Sequence, residues 1–314
     1  MLVTGAAGLI GVQVVRLLRD RGVRVVAVDD GSAGTLDRLD EFSTSPDVRV
    51  HVIDIRDAEA LTDVFSDEHP WAVIHLAARH FIPACEADPA GTLDVNVMGT
   101  QRLIDVCVAF PPARVLFAST ADVYAPSPRP HREDDHLAPA GVYGSSKLLC
   151  EELLRDQHDK LPGCVVTVAR LFNVVGPGDV HPHLLPEIVR QLRRGPLLRL
   201  GDLETARDYV FVGDVAHALL AILDSGAGGV FNVGTGTATS GRDLVRSVAA
   251  VVGIHPDVRL DPTRLRRHHR PMLCADVARL RQLIPQWPMT SLEHSVAHAV
   301  RAMAGPCAAT TAMR

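Results

Sequence analysis

Short β-branched runs recur along the first half of this chain, with helical patterns filling the gaps between them. The runs are Met1–Thr4, Arg24–Asp29, Val48–Ile53, Val73–Leu76 and Val115–Ala118, and the first gap holds a helical pattern from about Gly8 to Asp20. Parallel neighbours cannot be joined by a tight turn, so this alternation predicts a parallel sheet with crossover helices. A further helix is expected over Val142–Asp159, and the run Cys164–Arg170 ends the repeated pattern, which places the sheet domain over residues 1–172. Beyond it come Gly176-Pro177-Gly178, a helix near Leu184–Arg194, the segment Asp208–Val212, a helix from Val215 and a strand-like Gly229–Val233. These predict a smaller mixed α/β lobe over 173–304, with segments returning to the sheet domain, and a frayed tail over 305–314.

Composition excludes more than it selects. A net charge of -5 gives no electrostatic footprint for nucleic acid or an anionic membrane surface. The six cysteines, Cys85, Cys107, Cys150, Cys164, Cys274 and Cys307, show neither paired spacing nor a neighbouring His cluster, so they read as reduced thiols rather than a disulfide framework or a metal site. Leu2-Val3 leads straight into Thr4-Gly5 without a signal-like apolar run, and nothing reaches the roughly 20 apolar residues of a bilayer span. The expectation is a cytoplasmic protein.

Thr4-Gly5-Ala6-Ala7-Gly8-Leu9-Ile10-Gly11 is a glycine-rich turn between the first strand and the first helix. Backbone N–H groups and a helix N-terminus at such a turn can face a pyrophosphate. A tight turn without a ligand is the competing reading. The second run ends in Asp29-Asp30, with Asp29 lying 18 residues after Gly11. That is close to the spacing of a carboxylate that bonds an adenosine ribose, and no Arg or Lys comes directly after it to pair with a 2′-phosphate, which favours NAD over NADP. The alternative is that Asp29 only closes the strand before the turn at Gly31-Ser32.

Of 32 basic residues only Lys147 and Lys160 are lysines, and Tyr124, Tyr143 and Tyr209 are the tyrosines, so a lysine four residues after a tyrosine stands out. On a helix, Tyr143 and Lys147 share one face. An ammonium and a nicotinamide cation nearby would both favour the phenolate of a tyrosine that is otherwise a poor base near neutrality. Ser119-Thr120 ends the preceding strand, where a hydroxyl could reach the same alcohol. An exposed Tyr-Lys pair on a surface helix is the plainer possibility.

At this point the chain resembles, over nearly its whole length, the extended short-chain dehydrogenase/reductases, and within them the NAD-dependent epimerase/dehydratase group. The resemblance rests on the turn Thr4–Gly11, Asp54-Ile55, His75-Leu76-Ala77-Ala78, Asn96, Ser119-Thr120-Ala121-Asp122-Val123-Tyr124, Tyr143-Gly144-Ser145-Ser146-Lys147, Arg170-Leu171-Phe172-Asn173 and Arg207-Asp208-Tyr209. It implies a Rossmann-type doubly wound parallel sheet. NAD would then be held by Gly5, Gly8, Leu9, Ile10, Gly11, Asp29 and Asp30, with Asp54 and Ile55 near the adenine. Leu76, Ala77 and Ala78 would pass under the cofactor, Asn96 and Ser119 would complete its site, and Lys147 would bond the nicotinamide ribose. Tyr143, Lys147 and Thr120 would be catalytic. His80, Thr120, Asp122, Asn173, His183, Leu184, Arg207 and Arg270 would bind substrate, with no metal required.

Arginines suit phosphate oxygens because their planar forks stay charged, although a lone arginine is more often a solvated surface residue. Arg270-Pro271-Met272 departs from the Arg-Pro-Gly of the group, and the basic run Arg264–Arg270, with His268 and His269, reads by default as a solvated face. Arg79-His80-Phe81 and His181-Pro182-His183 match no family pattern, so plain loop histidines compete with ligand contacts.

The group divides by the two residues after the active-site threonine. Dehydratases carry Asp then Glu there; this chain has Ala121 and Asp122. Without the first carboxylate the resemblance implies a nucleotide-sugar 4-epimerase. Tyr143 would take a proton as C4 is oxidised, Thr120 would hold the hydroxyl, and hydride would return to the opposite face after the 4-keto sugar rotates. The alternatives are a decarboxylase or 4,6-dehydratase-type enzyme using Asp122, and a non-catalytic NAD-binding regulator. Uridine diphosphate is the family's commonest carrier, with ADP, GDP and dTDP open, and a homodimer through sheet-flanking helices is the family expectation.

Overall fold

The computed structural model describes residues 1–265, 270–287 and 289–303; the expected tail 305–314, with Cys307, and the middle of the basic run, with His268 and His269, lie outside them. Seven parallel strands form the central sheet. In spatial order they are Gly229–Val233, Val165–Leu171, Arg114–Thr120, Ala72–His75, Leu2–Thr4, Val25–Asp29 and Val48–Val52. Strand order reverses between Leu2–Thr4 and Ala72–His75, where Val3 lies opposite both Ala27 and Ile74. Connections leave to opposite faces at that point, and a crevice opens at the carboxyl ends of the strands, where such sheets bind ligands.

Both faces of the sheet are covered. On one, helix Gly11–Asp20 seats Val15 and Leu18 against Val215, Leu219 and Ile222 of helix Val212–Ser225. On the other, Leu61 and Phe65 of helix Ala58–Glu68 meet Leu103 and Cys107 of helix Gly99–Ala109 and Cys150 and Leu154 of helix Gly141–Asp156. Each fully buried aliphatic side chain contributes about 1.5–3 kcal/mol, so the two layers fix the strand ends that carry the site. The five described cysteines are free and buried, and no described helix is long and apolar enough to cross a membrane.

Several elements differ from the sequence reading. The strand Gly229–Val233, read as part of the mixed lobe, is the seventh strand of the central sheet, with Val230 opposite Val168. Its place is hidden in the sequence because the chain builds small strands and a helix of the crevice wall, then the sheet-flanking helix Val212–Ser225, before returning. The first helix begins at Gly11 rather than Gly8, since Gly8–Ile10 are spent in the turn. Between Leu76 and Val115 the sequence reading named no helix, yet Ile82–Ala87, Pro89–Leu93 and a wider turn over Asp94–Met98 lead into Gly99–Ala109. Pro83 and Pro89 stand in first turns, where a missing N–H costs nothing, and Asp88 caps the second by accepting from Gly91 N at 3.0 Å.

The other wall of the crevice is built from smaller pieces. Asn173–Val175 and Met272–Leu273 pair in parallel with Ala206–Phe211, Ala238–Ser240 pairs with it antiparallel, and Leu197–Leu200 pairs with Asp257–Leu260. Behind them Ile188, Leu192, Leu244, Val248 and Val296 close a separate core.

Candidate active site

A cavity of about 1070 Å³ runs along the crevice. This lies just above the roughly 300–1,000 Å³ typical of small-molecule sites. At one end lies the glycine-rich turn. Gly5 has φ +69°, and a Cβ there would lie 2.6 Å from Ala77 N; a Cβ on Gly11 would lie 2.0 Å from Gly5 O. Only glycine lets helix, turn and neighbouring strand approach this closely. Gly5, Gly8, Leu9, Ile10 and Gly11 all line the cavity, with Leu76, Ala77 and Ala78 below them. The strand end is tied by Leu76 N donating to Thr4 O at 3.1 Å.

Three carboxylates stand at this end. Asp29 accepts from Ala7 N at 2.9 Å and from Gly31 N at 2.8 Å. Burial raises its pKa, and those two backbone bonds oppose the rise. It therefore ends the strand, as the plainer reading had it, and also faces the cavity together with Asp30. Asp54 lines the same end beside the buried Ile55, its carboxyl held low by hydrogen bonds from Arg56. A backbone cradle, a helix N-terminus and a ribose-range carboxylate fit a dinucleotide.

Asn96 does not reach this surface. It is buried behind the wall, accepting from Arg79 N at 2.8 Å and donating to Arg79 O and to Ser146 Oγ. Its amide fixes the Arg79 backbone. His75 stands behind the turn as well, bonded to Thr4 Oγ1 at 2.6 Å and Thr100 Oγ1 at 3.0 Å.

In the middle of the cavity, helix Gly141–Asp156 lies against the end of strand Arg114–Thr120. The Tyr143 phenol faces Thr120, which favours its ionised form, and Thr120 Oγ1 accepts from Asp122 N at 3.2 Å. Burial first, and then the Asp122 charge, push the phenol above its ordinary value, against the Thr120 hydrogen bond. Lys147 is almost fully buried; its Nζ donates to Ala118 O at 2.7 Å and lies 4.5 Å from the centre of the Phe117 ring. Burial lowers its pKa from 10.5 to about 8. The ammonium thus rests on a backbone carbonyl, and burial with the Asp122 charge sets the upward direction of the Tyr143 shift.

Beyond Tyr143 the lining passes to the second wall. Asn173, Leu184, Arg207, Arg270 and Asp122 all border the cavity. Arg270 is 6% exposed, donates from Nη2 to Asp122 O at 3.0 Å, and leaves Nη1 buried without a hydrogen-bond partner among the described residues. A buried guanidinium with an unused donor is costly unless a ligand oxygen completes it, which argues against a solvated arginine. Arg207 Nη1 donates to Arg270 O at 3.0 Å, locking the two together.

The histidines gather at this wall. The rings of His80 and His181 meet edge to face at 4.7 Å, Phe81 stacks on His181 at 5.2 Å, and Asp179 Oδ2 lies 2.9 Å from His183 Nδ1. His80 is open to the cavity, yet desolvation, then His181 and His183, lower its pKa to about 4.

Sequence reasoning missed two lining or supporting groups. Arg38 donates to Ala7 O at 3.3 Å and also to Gly178 O, bridging the turn to the second wall; a loop arginine with no fixed spacing gives no signal. Glu151 supports Ser119, and its position four residues after Lys147 on the same helix face could have revealed it.

The match to known proteins agrees with this geometry. The model of the NAD dependent epimerase/dehydratase family covers residues 1–234. A UDP-glucose 4-epimerase from Mycolicibacterium smegmatis is 34% identical over 308 residues, covering 95% of this chain and 96% of the relative. A GDP-6-deoxy-D-mannose reductase from Pseudomonas aeruginosa is 32% identical over 257 residues, covering 78% and 84%. The structure of Thermus thermophilus UDP-glucose 4-epimerase in complex with NAD superposes with a TM-score of 0.86 at 28% identity, covering 97% of this chain and 99% of that one. With a doubly wound sheet, a glycine-rich cradle and a Tyr-Lys helix on one cavity, the chain belongs to the NAD-dependent epimerase/dehydratase family.

Proposed function

We propose that this protein is an NAD-dependent nucleotide-sugar 4-epimerase acting on a uridine diphosphate sugar. The observation that carries the reading is the Tyr143–Thr120 pair placed on the same cavity as the dinucleotide cradle, with the buried, acid-free Ala121 beside it. NAD held along Gly5–Gly11, Asp29 and Lys147 would supply a hydride acceptor that returns what it takes. Tyr143 takes the C4 hydroxyl proton and gives it back, so its high pKa in the free protein must fall when positive charge arrives beside it. Thr120 holds that oxygen through both steps. Arg270 and Arg207 hold the diphosphate, so the sugar is tethered by its far end and the 4-keto ring can turn between oxidation and reduction.

Uridine is supported by the names of relatives such as the Mycolicibacterium enzyme. Asp122 borders the same cavity and supports the second reading, proton chemistry next to a 4-keto sugar. Product analysis against UDP-, ADP-, GDP- and dTDP-sugars separates the two. Unchanged mass with inverted C4 is expected; loss of water or carbon dioxide would overturn the epimerase reading. The protein is further proposed to work in the cytoplasm, where buried free thiols stay reduced. A homodimer is proposed through the exposed Met98, Val108 and Leu149 beside and on two sheet-flanking helices; a monomer by sedimentation would exclude it.

A further inference from the structure

Three residues on one face of helix Gly141–Asp156 grip three consecutive residues at the end of the catalytic strand. Tyr143 faces Thr120, Lys147 Nζ donates to Ala118 O, and between these strand residues Ser119 Oγ donates to Glu151 Oε1 at 2.5 Å. Glu151 is in turn held by Arg170, whose Nε reaches Oε1 at 3.0 Å and whose Nη2 reaches Oε2 at 2.6 Å. Ser119, Glu151 and Arg170 are 3%, 6% and 3% exposed, so this network excludes water, yet Ser119 borders the cavity. The remaining donor of Arg170, Nη1, is spent on Tyr124 OH and Glu133 O, both at 3.0 Å, and Tyr124 OH donates to Asn232 Oδ1 at 2.7 Å. The guanidinium therefore cannot turn without breaking several buried bonds.

A hydroxyl has one proton and two lone pairs. We propose that Glu151 is a positioning residue that draws the Ser119 proton inward, so that on the cavity side Ser119 can only accept. The bound group facing Ser119 must then carry an N–H or O–H donor. At this place, one residue from Thr120, two groups have that chemistry: the carboxamide of a nicotinamide and a hydroxyl of the sugar. A serine whose proton were free could adapt to either a donor or an acceptor; this one selects.

The inference rests on the proposed function only for the sugar, and the test keeps the two apart. Ser119→Ala, Ser119→Thr, Glu151→Gln and the Ser119→Ala/Glu151→Gln pair are compared for kcat, KM, and calorimetric affinity for NAD and for UDP-glucose. Ser119→Ala and Glu151→Gln are each expected to lower kcat about 10-fold and to weaken the same one ligand. The pair is expected to be no worse than the weaker single variant, because both act through one hydroxyl, and Ser119→Thr retains activity. Loss of NAD affinity identifies the carboxamide, loss of UDP-glucose affinity the hydroxyl. Where Glu151→Gln fails to fold, Glu151→Met/Arg170→Met, which buries no lone charge, replaces it. Multiplying effects, or wild-type behaviour of Ser119→Ala, would overturn the proposal. If the wild-type protein turns over no nucleotide sugar, the functional reading fails while the NAD affinities still decide the role of Ser119.

Discussion

The two walls of the cavity are built differently. One is the ends of parallel strands packed on both faces, where Ala118, Ser119 and Thr120 ladder with Ala169, Arg170 and Leu171 of the next strand. The other is assembled from strands of two to six residues and from loops that meet it through side chains, such as Arg207 on Arg270 O and Arg38 on Gly178 O. The proposed reacting groups, with the Ser119 hydroxyl beside them, sit on the first wall, and Arg207 and Arg270, proposed to hold the diphosphate, sit on the second. Chemistry needs its atoms fixed to fractions of an ångström, whereas recognition tolerates change, so substitutions on the two walls should separate in kcat and KM.

The largest effect is expected at Tyr143. Tyr143→Phe removes the proton acceptor and leaves the ring's packing, so kcat should fall by about 10²–10⁴-fold with NAD still bound, as read by turnover beside cofactor released on denaturation. Retained activity would move the base elsewhere, Asp122 first. On the opposite wall, Arg270→Met should raise KM for the nucleotide sugar by about 10-fold or more, the weight of a charge-assisted hydrogen bond, and change kcat less. An equal fall in kcat would mean that Arg270 acts in the transition state and that the division between walls fails.

Lys147 tests the cost of the rigid wall. Its pKa is about 8 in the fold against an ordinary 10.5. Between those values the unfolded chain holds a proton that the folded chain lacks, so stability rises with pH across the window, by about 3 kcal/mol in all. Below pH 8 the buried ammonium withholds that stability. The buried thiols, raised by desolvation, pull stability down in the same window, so urea titrations should show wild-type stability climbing relative to Lys147→Met, whose turnover is expected to drop by about 10²-fold or more. A rise that survives the substitution would assign the titration to another group.

How far the sequence revealed these walls depends on their construction. The turn Thr4–Gly11, Asp29 and the Tyr143–Lys147 spacing were legible because each depends on local geometry, a tight turn, a strand end or one helix face. The strand Gly229–Val233 was not, since its partner Val168 is far away in sequence and nothing local says which sheet a short apolar run joins. The partners of Asn96 were hidden for a related reason: its side chain is directed by the distant Arg79 backbone and Ser146. The histidines at 80, 181 and 183 converge only through loop packing, which no spacing rule encodes.

Two histidines give the smallest and most discriminating comparison. His75 belongs to the rigid wall, sealed between Thr4 and Thr100, with its pKa lowered by burial to about 3; His80 belongs to the loop wall, lowered to about 4 but open to the cavity. Both are neutral in the fold where the unfolded chain, with an ordinary value of 6.5, takes up protons. Stability contributed in this way is present above pH 6.5 and is lost as pH falls below it. For the sealed ring the loss reaches about 2 kcal/mol at pH 5, whereas solvent in the cavity screens the open one. His75→Asn should therefore flatten the acid side of the stability profile although it lowers stability at pH 7, and His80→Asn should leave the profile nearly parallel to the wild type. If His80→Asn flattens it as much, the loop wall is as closed to water as the sheet wall, and the contrast between them disappears.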